Sequence, residues 1–210
     1  MRSRPSVTGS AELDLPEFEN PPTDPMPLLT AWVDHAERLG VLEPYNIALA
    51  TSDADGNVTN RFVLAKAFDE NGFLFATNTS SAKGLQLTEN PRASAAIYWR
   101  ETRQQLRITG PIFVATVEES DAIWVDRSVE SQAAATASEQ SMPLTDDTEY
   151  RKNSALLAAP GLPLPRPQDW TGYRLQPDTI EFWHGAANRM HRRLRYDRTV
   201  DGWSHERLYP

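Results

Sequence analysis

The chain has 210 residues, of which 40% are hydrophobic and 24% charged, ordinary globular usage in a length that suits one good-sized domain burying roughly 70% of its unfolded surface. Lys and Arg number 21 against 29 Asp and Glu, a net charge of -8, which argues against a protein that coats nucleic acid or an anionic membrane. There is no cysteine, so disulfides, thiolate metal sites, iron–sulfur clusters and cysteine nucleophiles are excluded together, and no apolar run reaches the roughly 18 residues of a spanning helix.

The first residues, Met1-Arg2-Ser3-Arg4-Pro5, continue polar without an apolar secretory stretch, and a cytoplasmic protein is expected. Residues 1–22 hold few large apolar side chains and several prolines, and read as a flexible arm that is disordered or lies on another surface. Residues 23–210 read as a single domain. Asp24 and Pro25 suit the N-cap and first position of a helix whose apolar face is Leu28, Leu29, Trp32, Val33, Ala36 and Leu39, closed by Gly40. Strands are expected at 47–52 and 58–67 around the turn Asp53-Ala54-Asp55-Gly56-Asn57, and at 73–77 after Asn71-Gly72. A short helix opens at Ser80-Ser81 and stops at Asn90-Pro91; strands follow at 93–100 and 104–117. This antiparallel meander is of the kind that closes into a small barrel.

Residues 118–126, 131–137 and 147–159 are helical by composition, with alanine heavily used. Pro160 to Pro167 runs extended. Strands return at 173–175, 179–184, 189–196 and 203–208, so the fold class is mainly β (α+β), one sheet system with an inserted helical segment. There is no G-x-G-x-x-G after a strand, no G-x-x-x-x-G-K-[ST] and no G-x-S-x-G. The four histidines, His35, His184, His191 and His205, lack ligand spacing, and no metal is expected.

Positive charge concentrates late in this acidic chain. If 189–196 is one strand, Arg189, His191, Arg193 and Arg195 share a face, with Met190, Leu194 and Tyr196 toward the core. Like charges side by side repel, and an anionic ligand would relieve them. Arg61-Phe62-Val63-Leu64-Ala65-Lys66 places cations at both ends of an apolar strand. Ser80-Ser81-Ala82-Lys83 offers hydroxyls and a lysine at a helix N-terminus, a sound phosphate cradle. Together these segments suggest a phosphate site and a second anion site.

Arg61 through Lys66, Thr77 with Ser81-Ala82-Lys83, Arg103-Gln104-Gln105, Gln140-Ser141 and the run from Trp183 to Arg193 recur in this order in a known family. From about residue 25 to the C-terminus the chain resembles the pyridoxine (pyridoxamine) 5′-phosphate oxidase family of FMN enzymes. W-x-G-x-A-N-R-x-H-x-R is the most specific part. Within the family the chain is most similar to the flavin oxidase branch of phenazine biosynthesis, on Glu43-Pro44, Trp99-Arg100-Glu101, Pro165-Arg166-Pro167 and the ending Arg193 to Arg198.

The resemblance implies a split β-barrel with peripheral helices, a homodimer with FMN at the subunit interface. It implies cofactor contacts from Arg61, Phe62, Val63, Leu64, Lys66, Ala76, Thr77, Ser81, Ala82, Lys83, Gln105, Gln140, Ser141, Trp183 and Arg193. Lys66, Arg127, Ser131, Arg189 and His191 match positions that bind substrate. Arg61 and Lys66 would point to opposite faces of a regular strand, so a bulge or ligand contacts from both ends is required.

Two departures matter. Ile123 replaces a tyrosine whose hydroxyl helps the vitamin-forming oxidases hold substrate phosphate, and Ala82 replaces a basic residue of the phosphate motif. An apolar residue in a substrate pocket favours a larger, flatter ligand. The expected function is an oxidase that takes a partly reduced phenazine-1,6-dicarboxylate, a small aromatic dicarboxylate, toward the dihydrophenazine with O2 as acceptor, with no side chain assigned as obligatory acid or base. The alternatives are a pyridoxine/pyridoxamine 5′-phosphate oxidase, a non-catalytic flavin-binding protein, and a barrel without cofactor.

Overall fold

Helix α1 (Pro25–Arg38) starts where its cap requires: the Asp24 carboxylate accepts from the Met26 backbone N–H at 3.0 Å, with Pro25 in the first turn. Met26, Leu29, Trp32, Val33 and Ala36 are buried on one face. Leu39, expected on that face, lies past the helix end and is 46% exposed. The computed structural model describes Gly9 and residues 13–210.

Ten strands follow: β1 (Asn46–Ser52), β2 (Val58–Leu64), β3 (Ala67–Asp69), β4 (Gly72–Asn78), β5 (Arg92–Trp99), β6 (Gln104–Val114), β7 (Trp170–Leu175), β8 (Thr179–His184), β9 (Arg192–Thr199) and β10 (Gly202–Arg207). Helix α2 (Ala82–Glu89) connects β4 to β5, and α3 (Val117–Val125), α4 (Val129–Thr136) and α5 (Asp147–Ala158) form the insert after β6. The antiparallel strands run β10-β9-β8-β6-β5-β1-β2, and β4 joins β3 to β7. The whole is a curled half-barrel, mainly β, as expected.

β6 belongs to both parts of the sheet. Gln104 to Thr109 pair with β8, and Ile112 to Val114 pair with β7. At the changeover Gly110 lies under the Gln176 carbonyl, where any Cβ would collide. The strand change near Lys66 has a similar cause. β2 leaves β1 after Leu64; the Ala65 N–H donates to the Tyr45 carbonyl at 2.9 Å and the Lys66 N–H to the Leu74 carbonyl at 2.7 Å. Lys66 thus begins a new pairing and is not the sixth residue of a regular strand, so the face alternation counted from Arg61 does not extend to it.

Ile47, Leu49, Leu106, Ile108, Ile180, Phe182, Leu194 and Tyr196 fill the concave face. The described part of the expected arm, from Leu13, is ordered and belongs to this core. Leu15 and Phe18 are buried, and the buried Glu17 carboxylate accepts from the Trp32 indole N–H at 2.6 Å. Phe18 meets Trp32 with ring centroids 6.2 Å apart; these apolar contacts offset the polar, proline-rich composition that made the segment read as an arm. The remainder of 1–12, apart from Gly9, lies outside the described residues.

The helical insert is tied to the sheet by a second core of Leu74, Ile123, Trp124 and Trp170. Thr116 and Glu119 close a capping box on α3. The Trp124 indole donates to the Leu164 carbonyl at 2.7 Å, anchoring the proline-rich segment. Among the described residues no helix is long and apolar enough to cross a membrane, and no group of His, Asp and Glu is arranged to hold a metal ion.

One expected strand is shorter than its sequence pattern. β9 begins at Arg192, not Arg189. Asn188 Oδ1 accepts from the Met190 N–H at 3.0 Å and Arg189 takes φ 69, a turn that removes 189–191 from pairing. Met190, expected toward the core, is 71% exposed, whereas Leu194 and Tyr196 are fully buried.

Candidate functional site

The end of β4 and the start of α2 meet closely because Gly84 has no side chain: a Cβ there would strike the Asn78 and Thr79 carbonyls. Ser81 caps α2, its hydroxyl accepting from the Gly84 N–H at 3.2 Å. Around this helix start, Lys83 Nζ donates to Thr77 Oγ1 at 2.8 Å, Thr77 donates to Gln140 Oε1 at 2.9 Å, and the Ala82 N–H donates to Ser141 Oγ at 3.1 Å. Arg61 reaches in from β2, donating to Thr51 Oγ1 at 2.6 Å and the Leu49 carbonyl at 3.1 Å, and contacting Thr59.

Burial and the nearby Arg61 guanidinium push the Lys83 ammonium down to about 8. Among the described residues no carboxylate pairs with Lys83 or Arg61, whose hydrogen bonds go to neutral oxygens. Two partly desolvated cations near a capped helix N-terminus are an arrangement that could hold an anion. The structure therefore brings together Arg61, Thr77, Ser81, Ala82, Lys83, Gln140 and Ser141, as the sequence suggested. Ala76 and Val63 lie half-buried beside the cluster's strands, while Phe62 and Leu64 point outward, 72% and 53% exposed.

A second row runs across three strand pairs, with Tyr98 opposite Gln105, Gln105 opposite Trp183, and Trp183 opposite Arg193. The Trp183 ring lies 6.5 Å from Tyr98 and 4.8 Å from the His191 imidazole. His191 Nδ1 accepts from the Ala186 N–H at 3.0 Å, which places it beside Trp183 although it is outside β9. Arg189 is exposed at the turn.

The repulsion expected along the basic run is relieved by the protein's own carboxylates. Arg193 Nε and Nη2 fork onto Glu181 at 2.8 and 3.0 Å, Arg195 pairs with Asp197 and Glu206, and Arg192 pairs with Glu19 at 3.6 Å. Of the arginines from 189 to 195, Arg189 is the one without a carboxylate partner among the described residues. Sequence reasoning missed Glu181. Its signal was a lone acid between Ile180 and Phe182 in the middle of the strand.

The residues matched to substrate positions form no single cluster in the chain. Lys66 Nζ lies 3.4 Å from Asp126. The Arg127 guanidinium lies beside the edge-to-face pair of Trp124 and Trp170, 5.7 and 5.4 Å from their ring centroids, and its Nη2 donates to the Ser131 carbonyl at 2.8 Å. Its Nε is buried without a partner, and burial lowers its pKa. The Ser131 hydroxyl accepts from Ser128 at 3.1 Å. A cavity of about 260 Å³ joins Thr77 and Gln140 to Arg127, Trp170 and Tyr150, the last not foreseen from the sequence. Ile123 is 6% exposed and belongs to the insert's core, so it is not an open pocket wall as expected.

The two rows occupy opposite faces of the sheet. Arg61 is opposite Leu49, Leu49 opposite Ala95 and Ala95 opposite Ile108, all on the concave side. Gln105 is an odd number of residues from Ile108 and so faces the other way, as do Trp183 and Arg193 in register with it.

Residues 34–184 match the family described as pyridoxamine 5′-phosphate oxidase, and 170–210 match the pyridoxine 5′-phosphate oxidase C-terminal dimerisation region. The dihydrophenazinedicarboxylate synthase of Burkholderia lata is 42% identical over 205 residues, 98% of this chain and 97% of that protein. A pyridoxine/pyridoxamine 5′-phosphate oxidase of Caulobacter vibrioides is 42% identical over 189 residues, 89% of this chain and 85% of that protein. The crystal structure of PhzG from B. lata in complex with tetrahydrophenazine-1-carboxylic acid superposes with a TM-score of 0.93 at 41% identity, covering 96% of this chain and 100% of that one. The chain belongs to the pyridoxamine 5′-phosphate oxidase family.

Proposed function

We propose that the protein is a cytoplasmic, FMN-dependent oxidase of phenazine biosynthesis that takes a partly reduced phenazine-1,6-dicarboxylate toward the dihydrophenazine dicarboxylate, with O2 as acceptor. The observation that carries this reading is the similarity to the B. lata protein along nearly the full length of both chains, together with the match to PhzG holding a tetrahydrophenazine carboxylate. Identity to the Caulobacter oxidase is as high but covers less of each chain.

The cluster at the start of α2 fits a phosphate monoester. Arg61, Ser81 and Lys83 with Thr77, Gln140 and Ser141 are the residues that would hold the FMN phosphate and ribityl chain, flanked by Phe62, Val63, Leu64, Lys66, Ala76 and Ala82. Gln105, Trp183 and Arg193 would address the ring. Because these rows face opposite ways in one chain, the site is completed by a second copy, in line with the match to a dimerisation region. The exposed outer stripe of Val58, Phe62 and Leu64 is surface for that copy to cover.

When bound, FMN supplies the hydride acceptance and reaction with O2. The chain supplies orientation: Arg189 suits a substrate carboxylate because its guanidinium forks and is not already committed, with His191, Lys66, Arg127 and Ser131 as further polar contacts. The test is anaerobic flavin reduction by a reduced phenazine dicarboxylate and by pyridoxamine 5′-phosphate. The phenazine precursor should bleach the flavin efficiently and the vitamin poorly. The reverse order would assign the protein to the vitamin pathway, and bleaching by neither would favour a flavin carrier.

A further inference from the structure

Glu181 is 5% exposed on the outer face of β8, where a carboxylate is costly unless paired. Both oxygens are used. Oε1 accepts from Arg193 Nε at 2.8 Å; Oε2 accepts from Arg193 Nη2 at 3.0 Å and from Arg107 Nη1 at 3.1 Å. The fork fixes the plane of the Arg193 guanidinium and leaves Nη1, which donates to the Tyr209 carbonyl at 3.0 Å. The charged groups on this face around Glu181 are Arg107 on β6 and Arg193 and Arg195 on β9; Arg195 is committed to Asp197 and Glu206.

We propose that Glu181 is a positioning residue for the flavin: its buried carboxylate locks the Arg193 guanidinium beside Gln105 and Trp183 and offsets its charge, so that the pair sets the flavin's redox balance. This rests on the reading that Arg193 addresses the FMN ring. Reduced FMN is the more anionic of the two redox states, so an uncompensated arginine favours it and a compensated one favours it less. A structural role alone would not move that balance.

The experiment measures the midpoint potential of FMN bound to the full-length protein in wild type, Glu181→Gln, Arg193→Met and the double variant. Glu181→Gln should raise the preference for reduced over oxidised flavin about tenfold, about 30 mV for this two-electron couple. In the Arg193→Met background the same change should give a clearly smaller shift, because the carboxylate's own field persists while its hold on the guanidinium is gone. No shift in the wild-type background, or equal shifts in both, overturns the inference. Should Glu181→Gln fail to fold, judged by circular dichroism, Arg107→Met takes its place. Freeing Oε2 for Arg193 alone should lower the potential, and an equal effect with and without Arg193 overturns the inference. A wild-type protein that takes up no FMN overturns the function proposed above and this inference with it; FMN uptake with equal shifts overturns this inference alone.

Discussion

Lys83 shows how a single residue carries chemistry that its neighbours dictate. Its ammonium is pushed from an ordinary 10.5 down to about 8 by burial and by Arg61. Phosphate binding needs the charged form, so FMN affinity should be steady between about pH 7, above the second ionisation of the phosphate, and about pH 8, and weaken as pH rises further, measured by quenching of flavin fluorescence. Stability of the flavin-free protein should move the other way. Between about 8 and 10.5 the unfolded chain holds the proton that the folded one has lost, so this group makes stability rise with pH across that window. Lys83→Met should remove both trends and weaken FMN roughly ten- to a hundredfold, the worth of about 1.5–3 kcal/mol for a charge-assisted hydrogen bond. Arg189→Ala should instead spare FMN uptake and raise the concentration of phenazine precursor needed for half-maximal flavin reduction by a similar factor. In the first cluster, Ser81 and Lys83 were legible because hydroxyls and a lysine at a helix N-terminus suit a phosphate, whereas Thr77, Gln140 and Ser141 were reached only through the family resemblance. Glu181 and Tyr150 were not legible, because a lone strand acid and a helix tyrosine acquire meaning only from distant partners.

At the scale of elements, alternation and turn chemistry located most strands, since buried and exposed residues must alternate on a sheet with one covered face. They failed where two patterns coincided. Arg189 to Tyr196 alternates like a strand, yet Asn188 offers its own backbone a tighter partner and the chain turns there first. The segment from Leu13 to α1 misled for the opposite reason: it is poor in apolar residues, but Leu15 and Phe18 are buried in the main core. Phe18→Ala should cost about 3–5 kcal/mol of stability by denaturant unfolding, the range for an aromatic removed from a core. A loss under about 1 kcal/mol would show that the segment only rests on the surface.

For the whole molecule, the opposed facing of the two rows has a consequence at the level of inheritance. If each flavin is shared between two copies, damage in one chain can be complemented by damage elsewhere in the other. Chains carrying Lys83→Met and chains carrying Trp183→Ala should each purify nearly colourless. Co-expressed in equal amounts and assembled at random, they should recover about a quarter of the wild-type flavin, because half the dimers are mixed and each mixed dimer holds one intact site and one doubly damaged one. Light scattering should report dimers in all three samples. A mixture as pale as its parents would mean that each chain builds its site alone, so that two defective alleles could never rescue one another.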